Sequence, residues 1–487
     1  MNYKDFTLIT ADSRKVIPGA LFVAVKGYAS DGHDYIRSAI EKGATGIICE
    51  YIPEGLCPEA EGRLRGSGGL VPLSFEERGI HYEVVENSRK ALAIAADAFY
   101  GHPSGKLTLV GITGTNGKTT TVTLLYRLFT GMGYSCGLLS TIANYVGEER
   151  YETENTTVDP VTLNSLMARM VEKGCEYCFM EVSSIGMEQD RVTGLDFSMG
   201  IFSNLTHDHL DYHKTFAEYL RCKKLFFDNL GPKAIALVNA DDRNGSVMVQ
   251  NTRAKVVNYS VKGLADHTAR ILEQDVEGML LKIDGTETWT RLIGEHNAYN
   301  LLAIYSAAVC LGFPAEEVLV ALSKLESAPG RLESLRGPHD LTVVIDYAHT
   351  PDALENVLKT LKAVAGKRQL ICLFGCGGDR DRSKRPEMAQ VAEKWADRLV
   401  ITSDNPRTED PEAIIAEIKA GLQPVSLAKT LVITDRREAI RTAILTAPQS
   451  AVILLAGKGH EDYQIVGHEK IHMDEKEIVN DTFKLML

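Results

Sequence analysis

The 487-residue chain has no apolar run approaching the roughly 18 residues that mark a membrane-spanning helix. Its opening, MNYKDFTLITADSRK, also lacks the apolar centre of a secretory signal. The expectation is a cytoplasmic protein without membrane insertion. Positive charge is in deficit, with 53 Lys and Arg against 65 Asp and Glu, a formal charge of −12. That balance argues against broad electrostatic attachment to nucleic acid or anionic lipid and leaves room only for local basic pockets. Cysteine is sparse and odd in number, nine in all, in a chain large enough to fold without disulfide staples, so reduced thiols are expected. The one CxxC, Cys175 and Cys178, has no second Cys/His pair nearby and runs into the apolar CFMEV. Buried thiols are therefore favoured over a zinc or redox pair. No solenoid-length repeat and no low-complexity tract is present.

What is present is ordinary soluble composition, 44% hydrophobic and 24% charged, at a length that favours two to four domains. Residues 1–106 hold mixed apolar runs, LFVAVKG and ATGIICE, then a Gly- and Glu-rich stretch from Pro53 to Gly79 that reads as a long surface loop. The cluster GHPSGK ends this first, small α/β domain. Residues 107–335 open with LTLVGIT, a Gly-rich turn and an amphipathic helix. Further strand candidates are YCFMEVS, FSMGIFSN and AIALVNA, and a helix NAYNLLAIYSAAVCLG closes the domain. Residues 336–487 alternate TVVIDY, QLICLFG, RLVITSD, TLVITD and VILLAGKG with helical segments, which predicts a mostly parallel, Rossmann-like doubly wound sheet.

The sharpest motif is Gly111-Ile-Thr-Gly114-Thr115-Asn116-Gly117-Lys118-Thr119-Thr120 between a strand and a helix. Glycines let backbone N–H groups converge on phosphate oxygens, the helix start adds positive potential, Lys118 adds charge, and Thr119 offers a hydroxyl to Mg²⁺. Ile112 stands where the strict phosphate-loop pattern has its first glycine. Glu181 ends the apolar run YCFME, a suitable position for a magnesium carboxylate. In NLTHDHLDYH, His207 and His209 are candidate ligands, of which one is expected to serve while the others hydrogen-bond within a polar loop. In the following FAEYLRCKKLFF, a turn of about 100° per residue gathers Phe216, Tyr219, Leu220 and Phe227 on one face, with Lys223 at its centre and Lys224 at its edge. Position alone favours a snorkelling or paired lysine. Burial also lowers an amine's pKa and opens a route to a carbamate with carbon dioxide.

These segments resemble the Mur ligase family of ATP-dependent amide-forming enzymes: TGTNGKTT, EVSS, HDHLDYH with Lys223 downstream, GEHNAYN, PGRLE, DYAHTPD, GCGGDRDRSKRP, SDNPR and AGKGHED. The resemblance spans all three domains and favours the subfamily that extends UDP-N-acetylmuramoyl-L-alanyl-D-glutamate. It implies a UDP-substrate-binding domain, a central ATP-binding domain and a C-terminal amino-acid-binding domain, acting as a monomer in peptidoglycan precursor synthesis. It also implies that Lys223 is N6-carboxylysine and holds Mg²⁺ together with Thr119, Glu181 and His209. The catalytic set is then Lys118, Glu181, His209 and Lys223. For ATP the resemblance adds Asn297, Asn300, Arg331, Asp346 and His349 to the loop residues, with ATP expected between domains. For the UDP substrate it points to Ser13, Asn155, Thr156, Thr157, Ser183, Gln189 and Arg191. Taken without the family match, the Asn-Thr-Thr run reads as a turn or helix cap.

The incoming amino acid is assigned from charge. Arg380, Asp404-Asn405-Pro406-Arg407 and Gly457 through Glu461 all follow apolar strand runs, and loops at strand carboxyl ends are where open α/β sheets bind ligands. Arg380 and Arg407 suit carboxylates, while Asp404, Asn405 and Glu461 can accept from an ammonium. That mixture matches the distal end of meso-diaminopimelate, which carries both groups. DNPR also resembles the diaminopimelate-adding members. The alternatives are the same ligation with L-lysine or a folylpolyglutamate synthetase-like ligase.

Overall fold

The computed structural model describes residues 1–27, 30–53, 56, 79–153, 155–206 and 210–487, in two compact units, Met1–Tyr259 and Ser260–Leu487. Most of the expected Pro53–Gly79 surface loop, and both His207 and His209, lie outside the described residues.

The first unit begins with a small parallel sheet of β1 (Ile9–Thr10), β2 (Leu21–Val23), β3 (Gly46–Cys49) and β4 (His81–Val84), paired in chain order. The helix Ser88–Phe99 starts at Asn87, whose side chain accepts the Lys90 N–H, and packs Leu92, Ala95 and Ala96 against Ile9, Leu21, Val23 and Ile48. Its second sheet comprises β5 (Thr108–Thr113), β6 (Cys136–Leu139), β7 (Asn144–Val146), β8 (Glu149–Tyr151), β9 (Tyr177–Glu181), β10 (Met199–Phe202), β11 (Ile235–Asn239) and β12 (Lys255–Ser260).

Within the unit the strands run in the order β12-β11-β10-β5-β9-β6-β7-β8. Those from β12 to β6 are parallel, and β7 and β8 are antiparallel. β5, β9 and β10 are buried almost throughout, as their uninterrupted apolar runs require when both faces are covered. The chain leaves β9 on one side of β5 and returns as β10 on the other, so the ends of these three strands frame a crevice at the switch in strand order. Register places Ile112 beside Glu181 and Thr113 beside Phe202.

The second unit opens with an antiparallel meander of β13 (His267–Asp275), β14 (Gly278–Ile283) and β15 (Thr286–Thr290), followed by the helix Glu295–Cys310. Its main sheet is built from β16 (Glu333–Arg336), β17 (Thr342–Asp346), β18 (Leu370–Phe374), β19 (Arg398–Ile401), β20 (Thr430–Val432) and β21 (Val452–Ala456). The order is β16-β17-β21-β18-β19-β20, with β16 alone antiparallel. Helices Pro351–Ala365, Lys384–Trp395 and Pro411–Lys419 cover one face, and Arg436–Leu445 and Glu475–Leu485 cover the other. A hairpin of β22 (Tyr463–Val466) and β23 (Glu469–His472) follows β21. The alternation read from the sequence is thus the doubly wound sheet expected. The meander β13–β15 escaped that reading because β13 buries few side chains and intersperses charges along its length.

Candidate active site

The phosphate-loop candidate sits in the first unit at the end of β5. Gly114 has φ +153° and a Cβ there would meet Ser203 Oγ at 1.9 Å, so only glycine fits between this loop and the segment after β10. Gly117, at φ +88°, starts the helix Lys118–Gly131. Thr206 N donates to Thr115 Oγ1 at 3.0 Å, and Asn116 N donates to Asn204 Oδ1 at 2.9 Å. Lys118 Nζ curls back to the carbonyls of Gly114 and Thr115 at 2.9 and 2.8 Å, which sets its ammonium over the loop. Thr119 and Thr120 are buried in the first helical turn.

Glu181 is 1% exposed, and both of its carboxylate oxygens accept hydrogen bonds. Thr119 Oγ1 donates to one oxygen at 3.0 Å, while Thr141 N and Oγ1 donate to the other at 2.8 and 3.0 Å. The expected partnership of Thr119 and Glu181 is therefore present in the geometry, and Thr141 is a member that sequence reading missed. Thr141 Oγ1 also reaches Thr156 Oγ1 at 3.1 Å, linking this cluster to the Asn155-Thr156-Thr157 run.

Lys223 is 1% exposed in the helix Phe216–Asp228. Its Nζ donates to Gly114 O at 2.7 Å and lies 4.6 Å from the centre of the Tyr219 ring. Lys224 instead pairs with Asp228 at 2.6 Å at the edge of the face. The helical-face reading distinguished these two lysines correctly, and the buried one stands against the phosphate loop.

A cavity of about 480 Å³ collects Asn155, Gln189 and Arg191 with Asp159, Arg89 and Leu92 among its walls. Arg191 donates to Gln189 Oε1 and to Thr157 O, and Gln189 Nε2 donates to the Tyr212 hydroxyl at 2.9 Å. Thr157 Oγ1 donates to Glu181 O at 3.0 Å and accepts from Ser183 N at 3.0 Å, while Ser183 Oγ caps the short helix after β9. Six of the seven residues assigned to the UDP substrate thus form one connected group. Ser13 is not among the residues lining this cavity; its carbonyl accepts from Lys42 Nζ at 2.9 Å. Arg89 and Leu92 of the helix Ser88–Phe99 are cavity residues that no local motif announced.

In the second unit Asn297 and Asn300 are buried in the first turns of the helix Glu295–Cys310, with Asn300 Nδ2 donating to Asn297 Oδ1 at 3.0 Å. The Arg331 guanidinium lies 5.0 Å from the Tyr347 ring centre, and its Nε is buried without a hydrogen-bond partner among the described residues. Asp346, at the end of β17, accepts the N–H groups of Leu332 and Ala348 at 2.8 Å each. Burial pushes its carboxyl above the usual range, against the opposing pull of Arg331 and these two donors. His349 is exposed just beyond it, its Nδ1 2.9 Å from Tyr347 O.

The loops after β18, β19 and β21 converge. Asn405 Nδ2 donates to Glu461 Oε2 at 2.9 Å, and Gly457 N donates to Asp346 O at 3.0 Å. The Pro406 carbonyl approaches Gly378 so closely that a Cβ there would meet it at 1.9 Å. Arg407 holds φ +50°, a left-handed conformation costing a β-carbon-bearing residue about 1–2 kcal/mol. It is clamped by N–H donation to Ile465 O and by acceptance from Gly467 N, and its NH1 donates to Gly378 O at 2.9 Å. Arg380 is exposed and, among the described residues, bonds only its neighbour's carbonyl, Asp379 O.

Asp404, Asn405 and Glu461 were read as residues able to accept from an ammonium, and an internal ammonium, Lys458, engages Asn405 and Glu461. Lys458 lies within the expected Gly457–Glu461 run, where it carried no role of its own. The CxxC thiols are buried, as expected, and burial pushes the Cys178 thiol far up. No cluster of three or more metal-ligating His, Cys, Asp or Glu occurs among the described residues. Nor is any described helix long and apolar enough to cross a membrane.

Comparison with known proteins bears on this arrangement. The chain matches the Mur ligase middle domain over residues 112–308, the Mur ligase, glutamate ligase domain over 330–459, and the Mur ligase family, catalytic domain over 5–64. It is 52% identical over 480 residues to UDP-N-acetylmuramoyl-L-alanyl-D-glutamate–2,6-diaminopimelate ligase of Parabacteroides distasonis, covering 98% of this chain and 95% of that protein. The protein of the same name from Geobacillus kaustophilus is 40% identical over 491 residues, covering 99% and 95%. A solved structure of a ligase with this name matches at 31% identity and TM-score 0.71, covering 99% of this chain and 95% of that one. Mycobacterium tuberculosis folylpolyglutamate synthase shares the fold alone, at 20% identity and TM-score 0.59 over 76% of this chain and 92% of that one. With half its residues identical over nearly its full length and the same three-domain α/β architecture, the chain belongs to the Mur ligase family.

Proposed function

We propose that this protein is an ATP-dependent ligase that joins meso-diaminopimelate to the D-glutamate γ-carboxylate of UDP-N-acetylmuramoyl-L-alanyl-D-glutamate, in cytoplasmic peptidoglycan precursor synthesis. The observation that carries the reading is 52% identity over 98% of the chain to a ligase of that name. The buried Thr119–Glu181 pair beneath a phosphate-type loop supports the ATP half of it. A carboxylate is a poor acylating agent until one oxygen becomes a leaving group. The γ-carboxylate therefore attacks the ATP γ-phosphorus, ADP departs, and the amine then attacks the acyl phosphate and expels phosphate. Catalysis of such steps is chiefly positioning and neutralisation of charge.

The residues divide accordingly. Lys118 and the N–H groups of residues 114–120 hold the phosphates, with Lys118 exchanging its loop carbonyls for phosphate oxygens. Asn297, Asn300, Arg331, Asp346 and His349 complete the nucleotide contacts, the unpartnered Arg331 Nε being a donor suited to an anion. Arg191, Gln189, Ser183 and the Asn155-Thr156-Thr157 run, with Ser13, hold the UDP-linked peptide. Arg380, Asp404, Asn405, Pro406, Arg407, Gly457 and Glu461 select the amino acid. The domains of this reading are 1–106, 107–335 and 336–487.

The donor set beside the loop is made of carboxylate and hydroxyl oxygens, which fits a hard divalent cation. Thr119 and Glu181, with His209 and a carbamylated Lys223, would hold Mg²⁺, whose charge would offset that of the phosphates. Lys223 is buried against the phosphate loop, where a carbamate would add oxygen donors for the cation. The test of the whole reading is phosphate release. It is expected only when ATP, the UDP-linked dipeptide and the diamino acid are all present; ATP turnover without the other two substrates contradicts it and indicates an ATPase.

A further inference from the structure

Lys458 is wholly buried, at 0% exposure, in the loop after β21. An ammonium has three protons to satisfy, and here each has an acceptor: Tyr463 O at 2.6 Å, Asn405 Oδ1 at 2.9 Å and Glu461 Oε2 at 3.2 Å. Asn405 Nδ2 reinforces the arrangement by donating to the same Glu461 Oε2 at 2.9 Å. Asn405 Oδ1 also accepts from Ile465 N at 2.9 Å, so the loop after β19, the loop after β21 and the hairpin β22–β23 are tied through one amide and one ammonium.

What remains matters for recognition. Asp404 Oδ1 lies 3.4 Å from Lys458 Nζ, close enough for attraction, but accepts no hydrogen bond among the described residues. Asp404 is 6% exposed, so this is a nearly buried carboxylate oxygen with no donor. Its other oxygen abuts Gly457, where a Cβ would stand 3.1 Å away. Among the described residues Glu461 is engaged only through Oε2. Beneath, Arg436 and Glu475 form their own fully buried pair at 2.8 Å, and Arg436 braces the Ser403 and Ala456 carbonyls that lead into both loops. Lys458 therefore faces two carboxylates, Asp404 and Glu461, with one positive charge. A ligand ammonium would complement these two acids, which Lys458 alone contacts as an ion-pair partner among the described residues.

We propose that Lys458 is the positioning residue of the amino-acid site. Its ammonium fixes Asn405 and Glu461 and thereby leaves Asp404 Oδ1 and Glu461 Oε1 as the oxygens that receive an ammonium of the incoming diamino acid. The assignment rests on the ligase reading above and sharpens it. Asn405 contributes to selection by holding this framework, and the two carboxylates receive the ammonium. Replacing Lys458 by an apolar residue removes the donor that holds Glu461 Oε2 and Asn405 Oδ1, so the site loses its grip on the amino acid while the nucleotide residues are untouched.

The experiment compares wild type, Lys458→Met and Lys458→Ala by steady-state phosphate release, varying each substrate in turn. The wild-type amino-acid panel decides the ligase reading by itself. The variants are then assayed with whichever amino acid the wild type uses, so the two ideas fail separately. The expected result is a KM for the amino acid raised roughly 30-fold or more, with KM for ATP and the UDP substrate within about threefold. Added propylammonium should restore Lys458→Ala in a concentration-dependent way, which a purely structural lesion does not allow. Lys458→Met fills the lysine's volume, so the KM comparison stands if the alanine variant fails to fold. An unchanged amino-acid KM, or equal rises for all three substrates, overturns the proposal, as does a folded Lys458→Ala that no alkylammonium restores.

Discussion

Replacing Glu181 by glutamine separates the charge beside the phosphate loop from its shape. Glutamine keeps one carbonyl oxygen, which can go on accepting from Thr141 N and Oγ1, now at 2.8 and 3.0 Å. Its amide NH₂ then faces the Thr119 hydroxyl, 3.0 Å away, which can rotate to accept. Three charge-assisted hydrogen bonds become neutral ones, a loss of about 1 kcal/mol each. Relief of a carboxylate that is 1% exposed offsets much of that loss. The folded state should thus change by no more than about 2 kcal/mol, a few degrees in Tm. The chemistry should fare much worse, because an anionic oxygen suited to Mg²⁺ has gone. We expect kcat/KM to fall roughly 10²–10⁴-fold, about 3–5 kcal/mol of transition-state stabilisation, with partial recovery at high magnesium. Thermal melting and phosphate release across a magnesium titration measure the two effects. A Glu181→Gln enzyme that melts normally and turns over within threefold of wild type at limiting magnesium would refute the assignment.

Further outcomes follow from other sites. Gly114→Ala places a Cβ 1.9 Å from Ser203 Oγ, so the loop must shift at a cost of about 1–3 kcal/mol, read as weaker nucleotide binding in a titration. Arg407→Ala should raise the KM for meso-diaminopimelate by roughly 10²-fold while nucleotide affinity stays within about threefold, measured in the same assay. The Arg385 guanidinium, then the Asp379 N–H, hold the Glu409 carboxyl down at about 2, below its ordinary 4.5. Its folded-state value is depressed, so its stabilisation is present above pH 4.5 and is lost as pH falls towards 2; the Tm gap between wild type and Glu409→Gln should shrink over that window. Among the described cysteines only Cys310 is not buried, and peptide mapping after brief alkylation should find it labelled ahead of the other seven.

The parts of the site legible in the sequence are those whose chemistry is local. The phosphate loop declares itself because glycines, lysine and threonines must be adjacent between a strand and a helix. Glu181 was visible because an acid closes an apolar strand, and Lys223 because helical periodicity separates it from Lys224. The parallel strands β17, β18, β19 and β21 of the second unit were equally plain, being buried on both faces. Contacts assembled from distant segments were not legible. Thr141 meets Glu181 across 40 residues, and Lys458 joins Asn405 across 53. Arg89 and Leu92 reach a cavity whose other walls lie beyond residue 143, apart from Val25. Ser13, carried over by resemblance, lines no wall of that cavity, and the meander β13–β15 lacks the two-faced burial that made other strands obvious.

The most direct test of the central claim is the mass of the product formed from UDP-N-acetylmuramoyl-L-alanyl-D-glutamate and ATP with meso-diaminopimelate or L-lysine offered in competition. The account predicts a single product heavier than the UDP-linked dipeptide by one diaminopimelate less water, formed with one phosphate released per bond. Equal or preferential incorporation of L-lysine contradicts the specificity drawn from Arg407, Asp404 and Glu461, and release of phosphate without any heavier product contradicts the ligase itself.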